Sequence, residues 1–256
     1  MNINKHLILL FSVLFFLFAV SVSSGCFRKN ESDVKSVVRN ELDQLKNLDS
    51  ETTQKYIPYT ELFPDATENT DLTDEINETF SLFFRKFNYK ISDVIVGTAN
   101  HSATVSVKLT TIDSKVLARD FKAELLRTQI TESAQAQKGN IKDSSRSLEA
   151  HYLILNHLLN TNDYDTAETD CNIQLVNTGN DKKEKWKIQR TNSLEDDLVG
   201  GLIADLADPD ILSPEDTLTV YLDTLQKLDL KEMTSYLGVV NIMNTCLLYT
   251  SDAADD

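Results

Sequence analysis

Apolar positions recur at helical spacing in the first third of the chain and at strand spacing in the middle, so the pattern predicts helices followed by a sheet. Val34, Val37, Val38, Leu42, Leu45 and Leu48 lie on one face of a helix that Ser32 or Asp33 can cap. Asp49-Ser50 restarts a short helix through Tyr56 and Ile57. Pro58 ends it, because a residue before proline avoids the helical region. A third helix begins near Thr70 to Thr73 and carries the stripe Ile76, Phe80, Phe83, Phe84 and Phe87. Such a stripe can line a pocket, but helical spacing makes core the default. Tyr89 to Val96 and Ser102 to Ile112 read as a hairpin around Gly97-Thr98-Ala99-Asn100. In its second strand Ala103, Val105, Val107 and Leu109 alternate with Thr104, Ser106, Lys108 and Thr110. Period two with one polar face means a sheet packed on one side only.

Asp113 or Ser114 then caps a helix with Val116, Leu117, Phe121, Leu125, Leu126 and Ile130. A polar stretch from Gln135 to Ser147 reads as a loop, and Leu148 to Leu159, apolar nearly all round, as the most buried helix. Ala167, Thr169, Cys171, Ile173 and Leu175 alternate along a long strand. Asn177 to Glu184 turns it into a strand at Lys185 to Arg190, which holds the only tryptophan, Trp186. Leu194, Leu198, Val199, Leu202, Ile203 and Leu206 form one more amphipathic helix. Gly200-Gly201 inside it costs about 1 kcal/mol per glycine against alanine, so the doublet serves close backbone packing or a hinge. The expected architecture is α+β, with helices on one face of a curved antiparallel sheet.

Beyond the candidate linker Asp208-Pro209-Asp210, Ser213-Pro214-Glu215-Asp216 is a strong helix start. The segment after it copies the first helix pair at a constant offset of 180 residues. Leu42, Asp43, Leu45, Leu48, Asp49, Tyr56 and Ile57 recur as Leu222, Asp223, Leu225, Leu228, Asp229, Tyr236 and Leu237. The repeat implies the truncated start of a second, similar domain. The last eleven residues, CLLYTSDAADD from Cys246 to Asp256, resemble the in-frame translation of a transposase sequencing adapter. They are given no fold and no function, and the natural reading is expected to break off near Thr245.

The start of the chain says where the protein works. Lys5 and His6 precede an apolar run from Leu7 to Val22, then small residues, then Cys26. That order is a secretory signal, and the run is shorter than the roughly 20 residues a spanning helix needs. Gly25-Cys26 at the cleavage position resembles a bacterial lipoprotein signal, although Ser23 stands where that signal usually has leucine. The resemblance implies cleavage between Gly25 and Cys26 and a covalent lipid on the Cys26 thiol. An ordinary cleaved signal and an uncleaved short anchor are the rival readings. The expected organisation is a signal over 1–25, a lipidated tether over 26–31 and an α+β domain over 32–207. A linker over 208–212, the second-copy start over 213–245 and the adapter-like tail over 246–256 complete it.

Composition narrows the function classes. Without signal and tail, about 220 residues remain, enough for one domain with a proper core and part of another. With Cys26 lipidated and Cys246 in the tail, only Cys171 is left, so no disulfide framework or cysteine-rich metal site is expected. Cys171 lies on an apolar strand face as a small buried hydrophobe. A net charge of −15 disfavours nucleic acid and anionic headgroups alike, which leaves membrane attachment to the lipid. The acids Glu195, Asp196, Asp197, Asp205, Asp208 and Asp210 lack the glycine-centred spacing of a calcium loop and read as a solvated helix face.

The order helix, short helix, helix, hairpin, helical insertion, second hairpin with a lone tryptophan resembles the cone-shaped superfamily of nuclear transport factor two and ketosteroid isomerase. The LDQLKNLDSETTQKYI opening, the ATVSVKLTTID strand and the KWKIQR strand carry the resemblance, over roughly Ser32 to Arg190. It implies helices closing over a curved sheet around a cavity that some members use for catalysis and many only for binding. Asp93, Tyr89, Tyr152 and Asp170 are residue types an isomerase site would use, but no spacing singles them out, and no catalytic residue is assigned. His151 and His157 sit six residues apart on one helix and cannot share a metal on one face. No HExxH, nucleophile elbow or phosphate loop occurs, and Asn100-His101-Ser102 is more simply a turn. The expected function is a surface-anchored, non-enzymatic binding module that needs no cofactor. Its partner is an unknown protein or small molecule. The alternative is a small-molecule cavity enzyme of the isomerase type. A transport substrate-binding protein is disfavoured, since its alternating strand and helix pattern is missing.

Overall fold

A computed structural model describes residues 30–57, 62–64, 66, 73–97, 101–135, 146–179 and 185–228. Helix α1 (residues 30–46) is followed by α2 (Ser50–Tyr56), α3 (Thr73–Phe84), β1 (Asn88–Val96), β2 (Ser102–Ile112) and α4 (Ser114–Gln135). Then come α5 (Leu148–Thr161), β3 (Thr166–Asn177), β4 (Trp186–Ile188), α6 (Asn192–Leu198), α7 (Leu202–Ala207) and α8 (Pro214–Lys227). The strands form one antiparallel sheet in the order β1-β2-β3-β4. The fold class is α+β, with helices packed against one face of the sheet.

The alternation in β2 and β3 builds that one-sided sheet. Ala103, Val105 and Val107 pair with Leu175, Ile173 and Cys171, and all six are buried. Their neighbours Thr104, Ser106 and Lys108 pair with Gln174, Asn172 and Asp170 on the opposite face. β1 would break the pattern, because strict alternation after Tyr89 and Ile91 turns Asp93 inward. A β-bulge between Ile91 and Asp93 corrects this. Val94 then pairs with Val105 on the apolar side, and Asp93 pairs with Ser106 on the polar side.

Aromatic side chains fill the space beneath the sheet. Phe80, Phe83, Phe84 and Phe87 are buried, with Phe84 edge-on to Phe83 and Phe87 at centroid distances of 5.4 and 5.2 Å. Tyr152 of α5 meets Phe80 and Phe63 edge-on, and Trp186 closes the far end from β4. Each such ring contributes roughly 1.5–3 kcal/mol by leaving water.

Several boundaries differ from expectation. α1 is already helical at Asn30, so Ser32 and Asp33 lie inside it. Asp49 caps α2 as expected, its carboxylate accepting from the Thr52 amide at 2.9 Å. Helix α5 is not buried all round: Leu153 is 52% exposed, and its core face is Leu148, Tyr152, Leu155, Leu158 and Leu159. β4 has only three residues. Ile211, within the segment read as a linker, joins the main core, and α8 packs along α4.

The glycine doublet splits one expected helix into α6 and α7. Gly200 and Gly201 both have positive φ, 66° and 91°, and their amides close α6 by donating to the Asp197 and Asp196 carbonyls. A Cβ on Gly200 would stand 2.2 Å from Thr111 Oγ1, so close packing demands glycine here. Around Gly201 there is room. Gly200→Ala is expected to lower stability to urea by about 2–4 kcal/mol, from left-handed strain plus overpacking, and Gly201→Ala by about 1 kcal/mol. Equal losses in the two variants would contradict this assignment.

Candidate functional site

The polar face of the sheet is built by the outward half of each strand's alternation. Its side chains bond across strands: Thr104 donates to Gln174 at 3.0 Å, Ser106 to Asn172 at 2.9 Å and Lys108 to Glu168 at 3.1 Å. Ser92 at the bulge donates to the Ser106 carbonyl. Ile95 is the large apolar side chain left exposed on β1. This face is an exposed polar surface linked across strands by these bonds.

A concavity of about 220 Å³ is lined by residues of α4, α5, α7 and the 62–66 segment, with no strand residue among them. Phe63, Phe121, Leu125, His151, Ile203 and Leu206 line it, with Lys122 at its wall. The His151 ring is tilted against Phe63 and Phe121 at centroid distances of 4.9 and 5.6 Å. Its Nδ1 lies 2.7 Å from the Ser147 carbonyl, an acceptor, so Nδ1 carries the proton and Nε2 is the free lone pair of the neutral ring. Burial holds this histidine below the ordinary 6.5, the Ser147 bond opposes that, and the Lys122 charge adds to it. In the sequence His151 stood out only beside His157, a pair whose spacing cannot share a metal on one face. Its ring neighbours come from Phe63, in a connection between helices that carries no periodic signal.

The residue types an isomerase site would use are scattered. Tyr152 is buried in the aromatic core, while Asp170 and Asp93 lie on the polar sheet face, Asp93 placed there by the bulge. The Tyr89 hydroxyl donates to Asp43 at 2.7 Å. Burial, and then this carboxylate, push its pKa up to about 12. Cys171 is buried, and burial with Asp197 beside it pushes the thiol up to about 12, which leaves it unreactive at neutral pH. Gly25 and Cys26 lie outside the described residues, as do Asn100 and the tail from Cys246.

The acidic cluster is only in part a solvated face. Glu195 is buried and ion-paired with Arg190, and Ser114 Oγ lies within hydrogen-bond reach of two acceptors, Asp205 at 2.7 Å and the Gly200 carbonyl at 2.6 Å, which share its one proton. Asp196 accepts from the Ala204 amide and Asp208 from the Asp210 amide. Of these carboxylates, Asp205 ties the α6–α7 turn to the start of α4 through Ser114. Among the described residues, no group of three or more histidine, cysteine or acidic side chains is placed to hold a metal, and no helix is long and apolar enough to cross a membrane. Comparison with protein-family models, curated proteins and solved structures returned no match.

His151 gives a pH dependence whose sign is fixed. Its folded pKa is lowered, so on acidification the unfolded chain binds a proton first, and stability present above pH 6.5 is lost as the pH falls below it. The urea midpoint is expected to drop through this range in the native chain and to drop less in His151→Gln. Equal pH slopes in the two would contradict the placement of His151 as a partly buried ring that folds in its neutral form.

Proposed function

We propose that this protein is a lipoprotein, held at the extracytoplasmic face of a cell membrane, that acts as a non-enzymatic binding or interaction module. The observation that carries this reading is Cys26 directly behind a basic start, an apolar run and small residues. A diacylglyceryl thioether on Cys26, with a further acyl chain on the new amino terminus, holds a chain stably. Each buried methylene contributes about 0.8 kcal/mol, and one chain alone binds only reversibly. The charge of −15 argues against a protein surface that itself adheres to anionic lipid.

The binding half of the proposal is supported by how the fold uses its chemistry. The acids near α6 and α7 are engaged in structural bonds, the aromatic stripe is core, and the candidate acid and base types do not converge. The polar sheet face carries donors and acceptors at its surface that a partner's polar groups can meet. Its partner is a protein or a small molecule outside the membrane.

Cys26→Ala is expected to abolish incorporation of labelled fatty acid and to move the protein from the detergent phase to the aqueous phase. Undiminished labelling of the variant would overturn the anchor reading.

A further inference from the structure

Helix α8 is apolar on two opposite sides, and the fold covers only one. Val220 and Thr224 are buried where α8 packs along α4, whereas Leu218 is 58% and Leu222 48% exposed. Surface leucines scattered singly need no explanation, but two on adjacent turns form a stripe, which half-buried Leu225 continues. A helix with two apolar faces is one made to lie between two bodies.

The 180-residue repeat identifies what the bare stripe is for. Leu218, Leu222 and Leu225 align with Val38, Leu42 and Leu45 of α1. Those three residues are 0%, 2% and 1% exposed and belong to one core cluster with Tyr56 and Ile57 at the end of α2. Conversely, Val220 aligns with Asn40, which is exposed. The two helices therefore bury opposite faces, and the leucines bare on α8 stand where α1 carries its core positions. Both helices also end alike: the Leu48 amide donates to the Leu45 carbonyl at 3.0 Å and the Leu228 amide to the Leu225 carbonyl at 3.2 Å. They differ in that Leu48 is left-handed and Leu228 extended.

In the first copy, α2 folds back on α1. Thr52 donates to Gln44 at 3.1 Å, Lys55 pairs with Glu41 at 2.9 Å, and Tyr56 and Ile57 are buried. The matching segment begins at Asp229 with Glu232 three residues on, the spacing of a helix-capping box, and carries Tyr236 and Leu237. We infer that residues 229–245 dock on the Leu218–Leu222–Leu225 stripe, so that α8 is shared by the first domain and by the start of a second core. This inference is independent of the lipid anchor.

The test is amide hydrogen exchange on the full chain, with sedimentation reporting its mass. Amides across 230–240 should exchange at least about tenfold more slowly than in a free chain. Leu222→Asp should return them to free-chain rates while β2 and β3 stay protected. Leu153→Asp, the same change at an exposed leucine of α5, should alter nothing at 230–240. Should Leu222→Asp also release the sheet, the reciprocal Leu237→Asp alters the segment and none of the described core. It should free 230–240 and leave β2 and β3 protected. Free-chain exchange of 230–240 in the unaltered protein, or protection that survives both aspartates, overturns the inference. So does a dimer that Leu222→Asp dissociates while 230–240 exchange freely, since a second copy would then be the occupant.

Discussion

The fold depends on burying one face of a sheet whose other face is polar. Ala103, Val105 and Val107, paired with Leu175, Ile173 and Cys171, make an apolar floor that must be covered. A one-residue slip between β2 and β3 would turn every one of these side chains to water. Helix α3 against β2 and helix α6 against β3 supply the cover, with α5 packed on α3 behind them, and the bulge in β1 re-aims Val94 inward and Asp93 outward. The same requirement leaves the polar face free, so packing and surface chemistry both come from a single alternation.

The second constraint is the approach of the α6–α7 turn to the β2–α4 junction. Gly200 fits against Thr111 because it has no Cβ, and Ser114 lies within hydrogen-bond reach of both the Gly200 carbonyl and Asp205. Glu195 is buried beside Arg190 close by. Acids that look like a charged surface in the sequence are here hydrogen-bond acceptors that satisfy backbone and hydroxyl groups at a crowded corner.

Elements with long, clean periods were legible in the sequence. The hairpin β1–β2, strand β3 and the capped starts of α2 and α8 lie within a residue or two of where the pattern puts them. Features set by tertiary contact were not. Nothing local shows that Ile91 and Val94, three apart, share a face, because a bulge is chosen by the neighbouring strand. Leu153 looked like core because a run of apolar residues hides which side of α5 meets the rest of the fold. The doublet Gly200-Gly201 signalled a special backbone, but only the position of Thr111 tells packing from hinge. His151 acquires its surroundings from Phe63, 88 residues away in the chain and outside any periodic element.

On the proposed reading, a lipid on Cys26 fixes the location and the α+β body presents its polar sheet face to a partner. The most telling measurement is the intact mass of the mature protein extracted from membranes, with its first residue identified by fragmentation. The proposal requires a chain that begins at Cys26 and carries diacylglyceryl on sulfur. A chain that begins elsewhere, or an unmodified Cys26, would contradict it.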